Sequence, residues 1–88
     1  MKSYRFIISG KVQGVWYRKS VQKHAREAGF SGYVRNLPDG TVEAGVSCDE
    51  AHLETFVSLL RRGSEASHVE GIEQYESVET YRGGFEVR

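Results

Sequence analysis

Residues 3–9 alternate, with Tyr4, Phe6 and Ile8 on one side and Arg5, Ile7 and Ser9 on the other, as in a strand with one buried face. After Gly10 and Gly14 the period changes. Val21, Ala25 and Ala28 recur at helical spacing, which predicts a helix over residues 17–28 stopped by Gly29. Tyr33 and Val34 favour a second strand over residues 31–37, and Pro38-Asp39-Gly40 supplies the chemistry of a tight turn. A third strand follows with Val42, Ala44, Val46 and Cys48 on one face, completing a hairpin. Asp49 is placed to cap a second helix, in which Leu53, Phe56, Val57 and Leu60 fall at i, i+3, i+4 and i+7 before Gly63 ends it. Over residues 69–75 the alternation is imperfect, because Val69, Ile72 and Tyr75 lie three apart, and a bulge is expected there. Gly83-Gly84 then turns the chain into a last short strand, Phe85-Glu86-Val87-Arg88.

The order β-α-β-β-α-β with a short extra C-terminal strand predicts an α+β, ferredoxin-like sandwich, two helices covering one face of an antiparallel sheet. With 88 residues, of which 39% are hydrophobic, the chain can build one modest core, so residues 1–88 are read as a single domain. The lone Cys48 excludes an intrachain disulfide and an all-cysteine metal cage. No stretch approaches a membrane span, and the N-terminal residues lack the apolar core of a signal peptide, so a cytoplasmic protein is expected.

The net charge of zero hides an uneven distribution. The first 36 residues hold eight Lys and Arg against one acid, Glu27, whereas the remainder holds four against eleven. Such a split can attract an anion, or the two halves can neutralise each other on folding.

The candidate chemistry lies between the first strand and the first helix. Gly10-Lys11-Val12-Gln13-Gly14-Val15-Trp16-Tyr17-Arg18 can turn backbone N–H groups inward as an anion nest, aided by the free amides of a helix N-terminus. Arg18 adds a planar, permanently charged fork suited to phosphate oxygens. Its position opposes the helix dipole unless an anion is present. An ordinary glycine-bearing turn with a solvated arginine has the same spacing, and the residues alone leave both readings open. Asn36, at the end of the second strand, carries an amide able to orient a water molecule, although capping the adjacent turn is a commoner use of asparagine. The split βαβ order is expected to bring Asn36 beside the loop.

Joined, these segments resemble a known family. The run from Gly10 through Arg18 looks like the first signature of the acylphosphatases, and Gly32-Tyr33-Val34-Arg35-Asn36 with Gly40-Thr41-Val42 looks like their second. Gly84-Phe85-Glu86-Val87-Arg88 is similar to the family's C-terminal strand, so the resemblance spans essentially the whole chain. It implies hydrolysis of the carboxyl-phosphate bond of a small-molecule acyl phosphate, releasing inorganic phosphate without metal or other cofactor. By the same resemblance Arg18 and the loop amides bind phosphate, Asn36 orients the attacking water, and no protein base is needed. A monomer is expected, with no nucleic-acid or membrane partner. Tyr17 stands where the family more usually has phenylalanine, Trp16 where it is variable and often small, and Cys48 where glycine is usual.

Other chemistries find less support. An RNA-binding domain of this topology would carry a basic-glycine-aromatic signature on the third strand, but Thr41-Val42-Glu43-Ala44-Gly45-Val46 has no aromatic. A regulatory small-molecule-binding domain would use the nest without hydrolysis. His24, His52 and His68 show no paired helical spacing and are expected at the surface, and Cys48 with His52 supplies only two metal ligands. Cys48 is expected to act as a core hydrophobe. Glu65, Glu70, Glu73, Glu76, Glu79 and Glu86 are expected to form a solvated face.

Overall fold

The computed structural model describes residues 1–88. Its elements are β1 (Lys2–Lys11), α1 (Tyr17–Glu27), β2 (Ser31–Asn36), β3 (Val42–Cys48), α2 (Glu50–Arg62), β4 (His68–Ser77) and β5 (Phe85–Val87). The strands form a five-stranded sheet in the order β4-β1-β3-β2-β5. The first four pair antiparallel, as the ferredoxin-like pattern predicts. β5 instead runs parallel to β2, so the sheet is mixed rather than purely antiparallel. Three residues joined to the sheet through a long connection carry no sequence signal for their direction.

Alternation determines which side of the sheet is buried. Tyr4, Phe6 and Ile8 of β1, Val34 of β2 and Val42, Ala44, Val46 and Cys48 of β3 join Val21 and Ala25 of α1 and Phe56 and Leu60 of α2 in one core. Phe56 is its hub: the ring lies 5.4 Å from Phe6, 5.1 Å from Phe30 and 5.9 Å from Phe85, and is fully buried. Such burial contributes about 2–3 kcal/mol. Cys48 is 5% exposed, and burial pushes its thiol pKa up, as befits a small core hydrophobe.

The opposite face of the sheet is closed only at its centre, by a polar cluster. Glu43 is buried on β3 and accepts from Tyr33 Oη at 2.8 Å, Arg35 Nε at 2.7 Å and Arg5 Nη1 at 3.3 Å. Burial pushes the carboxyl pKa up, but the three donors together outweigh it and hold Glu43 below its ordinary value. The Tyr33 ring covers Gly45, where a Cβ would collide with it. Burial, followed by the hydrogen bond to Glu43, raises the Tyr33 phenol pKa.

Three local expectations are refined. Asp49 occupies the N-cap of α2 with an extended backbone, yet its side chain makes no capping bond; the turn is closed by the His52 amide donating to the Asp49 carbonyl at 2.9 Å. The expected bulge falls at Glu70, since Ser9 pairs with Gly71 while Gly10 pairs with Val69. His52 and His68 are exposed as anticipated, but His24 is half-buried, with a buried Nδ1 that has no hydrogen-bond partner.

Candidate active site

β1 and β2 are both antiparallel to β3, and β5 is parallel to β2, so the C-terminal ends of β1, β2 and β5 lie at the same end of the sheet. There β1 leads into residues 12–16 and α1. Ile8 and Asn36 register on Val42 from its two sides. Asn36 shares the strand parity of the buried Val34, which puts it on the side of the sheet that α1 covers. Gln13 makes the link concrete: its Nε2 donates to the carbonyls of Leu37 and Thr41, each at 2.8 Å. The β1–α1 loop is thereby stitched to the residue following Asn36. The Leu37 amide donates to the Thr41 carbonyl at 2.9 Å, and Asp39 Oδ1 accepts from the Thr41 amide at 3.0 Å, so the turn that Gln13 grips is itself braced.

The loop is rigid for identifiable reasons. Gly10, at φ 122°, passes so close to the bulge that a Cβ there would strike the His68 carbonyl. Lys11 closes β1 and is exposed; Val12 and Val15 are buried anchors. The Ser64 hydroxyl donates to the Val15 carbonyl, and Tyr17 Oη donates to the Leu60 carbonyl at 2.7 Å. Both contacts fasten the start of α1 to the end of α2. Burial raises the pKa of the Tyr17 phenol.

Backbone φ is positive at Gly14 (72°), negative at Val15 and positive again at Trp16 (63°). Such sign alternation turns successive N–H groups toward one side, the geometry of an anion nest. No acceptor in the protein takes the amides of Gly14, Val15 and Trp16. The first helical bond runs from the Ser20 amide to the Trp16 carbonyl at 3.0 Å, leaving the Tyr17, Arg18 and Lys19 amides ahead of it. Trp16 is the N-cap residue, and its left-handed backbone costs about 1–3 kcal/mol for a side chain of this size.

Nothing offsets the positive end of α1. Its first turn holds no acid and no side-chain cap, yet it carries Arg18 and Lys19. Neither pairs with an acidic side chain, and Arg18 Nη1 reaches only the Arg88 main-chain oxygen at 3.4 Å. By contrast, Lys2, Arg5 and Arg35 pair with Glu76 or Glu43, so the charge split between the halves is partly neutralised elsewhere. A cleft of about 360 Å³ opens beside this helix end, lined by Val12, Gly14, Trp16, Arg18 and Val87 among others. Of the residues singled out in the sequence, Val12, Gly14, Trp16, Tyr17 and Arg18 line one cleft, whereas Gly10, Lys11, Gln13, Val15 and Asn36 do not, and Asn36 is tied to the loop only through the bond from Gln13 to the neighbouring Leu37 carbonyl. Sequence reasoning missed the roles of Gln13 as a stitch and of Val87 as a wall of the cleft. The two amide donors of Gln13 were a usable signal; the parallel seat of β5 left none.

The acylphosphatase family model matches residues 4–87. The chain is 40% identical over 88 residues to an acylphosphatase of Thiobacillus denitrificans, covering 100% of this chain and 98% of that one. It is 45% identical over 87 residues to an acylphosphatase of Caldivirga maquilingensis, covering 96% and 90%. The chain belongs to the acylphosphatase family. The crystal structure of acylphosphatase from Bacillus subtilis superposes with a TM-score of 0.90 at 36% identity, covering 100% of this chain and 99% of that one.

Tyr17 stands where the resemblance led to the expectation of phenylalanine, and its hydroxyl is satisfied by the Leu60 carbonyl rather than left buried and unpaired. Elsewhere the candidates thin out. No three His, Cys, Asp or Glu side chains converge to hold a metal ion. Glu65, Glu70, Glu73, Glu76, Glu79 and Glu86 are all exposed. No helix is long and apolar enough to cross a membrane.

Proposed function

We propose that the chain hydrolyses acyl phosphates by holding the phosphoryl group at the N-terminus of α1. The amides of residues 14–19 and the Arg18 guanidinium take its oxygens, and Asn36 orients the attacking water. The observation that carries this reading is the concentration of positive potential at one point: an uncapped helix end, a nest of free amides and two cations in the first turn with no acidic side chain against them. A phosphate relieves all three at once.

The chemistry asks little more. The water oxygen bonds to phosphorus, the bond from phosphorus to the acyl oxygen breaks, and the carboxylate departs as a good leaving group. The water's proton passes to a phosphoryl oxygen, so no protein base is required. Positioning and stabilisation of charge on the phosphoryl oxygens supply the rate, and fixed amides in a rigid loop suit both. The stitch from Gln13 to Leu37 and Thr41 supports a role for Asn36, because it fixes the strand end that carries the amide relative to the nest.

The proposal extends to residues 1–88 acting as one domain and as a monomer. A cytoplasmic location fits the buried, unpaired thiol of Cys48. Hydrolysis of benzoyl phosphate in ¹⁸O-labelled water tests the mechanism: the label is expected in inorganic phosphate and not in benzoate. Asn36→Ala is expected to keep its affinity for phosphate while kcat falls by about 10²–10³-fold, the range for losing one preorganised polar group. Unchanged kcat in that variant removes Asn36 from the mechanism.

A further inference from the structure

Resting on the hydrolase reading, we propose that Trp16 selects the acyl half of the substrate and gives the chain a preference for acyl phosphates with flat, unsaturated acyl groups. The nest and Arg18 account for the phosphoryl group and leave the rest of the cleft to the acyl group. Four apolar residues line that cleft: Val12, Trp16, Tyr17 and Val87. Val12 and Tyr17 are each 1% exposed and have no surface left to offer. Trp16 is 76% exposed and Val87 half-buried, so any apolar contact with the acyl group falls on the indole and the Val87 methyls.

Two further observations mark the indole as more than an incidental surface residue. Other large apolar side chains are exposed, but Trp16 is the one that lines the cleft holding Arg18. Its backbone is also left-handed, φ 63° and ψ 16°, at an N-cap where an extended conformation is normal. The strain is maintained by the anchoring of the residues on either side, Val15 to Ser64 and Tyr17 to Leu60. A ring presented on a braced main chain loses little freedom when a planar group stacks on it. The volume, about 360 Å³, lies in the range of clefts that take small organic ligands. Lys19, at the same rim, is free to meet polar substituents at the far end of the acyl group.

The test compares kcat/KM for benzoyl phosphate with that for acetyl phosphate in the wild type, Trp16→Ala and Trp16→Phe. The ratio of the two, not either rate, is the readout, so a general disturbance of the loop cancels. Trp16→Ala is expected to lower the ratio about ten-fold, the scale of one aromatic contact, and Trp16→Phe to restore most of it. Because the chain has one tryptophan, its emission reports the same ring directly. Titration with the non-hydrolysable benzoylphosphonate is expected to perturb that emission saturably, with about ten-fold tighter binding than acetylphosphonate. An unchanged ratio in Trp16→Ala, or equal affinity for the two phosphonates, overturns the proposal while leaving the hydrolase reading intact. A wild type that turns over neither acyl phosphate overturns that parent reading and this one with it.

Discussion

Arg35 and Arg18 belong to opposite kinds of polar site. Arg35 donates to Glu43 at 2.7 Å within a cluster where Tyr33 and Arg5 take up the remaining capacity of a buried carboxylate. Arg18 stands in the first turn of a helix whose leading amides are free, with no acidic side chain paired to it. At the first site the buried carboxylate has its donors supplied from within the fold. The second is incomplete, and the missing component is an anion. Polar density by itself is thus a poor guide to function in this molecule; unmet polar demand distinguishes the two sites.

The comparison breaks most visibly at Arg18. Arg18→Ala is expected to lower kcat/KM for benzoyl phosphate by about 10³-fold or more, as for removal of a cation that stabilises a transferring phosphoryl group. Its unfolding midpoint should be unchanged or slightly higher, because a cation opposing the helix dipole has gone. A large loss of stability would place Arg18 in the same class as Arg35.

Glu43→Gln is expected to do the reverse, costing about 1–3 kcal/mol of stability while kcat stays within a few-fold. The pH dependence follows from the sign of the shift. Glu43 titrates below its unfolded value, so the unfolded chain holds more protons as pH falls through the carboxylate range. The stabilisation is therefore fully present above the unfolded carboxylate pKa and is lost as pH falls through the folded one. Urea midpoints measured between neutral and acid pH should fall more steeply for wild type than for Glu43→Gln.

The smallest effect is expected at Tyr17, which belongs to both regions: its backbone opens α1 beside the nest, and its hydroxyl is satisfied internally at 2.7 Å. Tyr17→Phe should cost about 1 kcal/mol in chemical denaturation and reduce turnover by no more than a few-fold. A larger kinetic effect would mean that the bond to Leu60 positions Arg18.

Much of the frame was legible from the chain itself. Tyr4, Phe6 and Ile8 announce a strand and Leu53, Phe56, Val57 and Leu60 a helix, because in each case the spacing matches the period of the face that is buried. The three-residue spacing of Val69, Ile72 and Tyr75 even pointed to the bulge found at Glu70. Pattern carries no information about contacts that skip across the fold. The reach of Gln13 to Leu37 and Thr41 and the parallel seat of β5 depend on which strand ends meet, which is a property of topology. The absence of a capping bond from Asp49 shows the same limit at short range, since its residue type was right for the position. At the site, residue types suggested a nest, but the left-handed turn at Trp16 was invisible, because tryptophan has no local preference for that conformation and is held there by its neighbours.

That turn has a consequence for how the chain can change by descent. Tryptophan's single codon, TGG, lies one nucleotide from the glycine codon GGG. Glycine would relax the left-handed backbone at residue 16 by about 1 kcal/mol and forfeit almost no buried surface, since the indole is 76% exposed. Selection for thermal endurance alone thus has a one-step route away from tryptophan. Lineages selected also for turnover of flat acyl phosphates have reason not to take it.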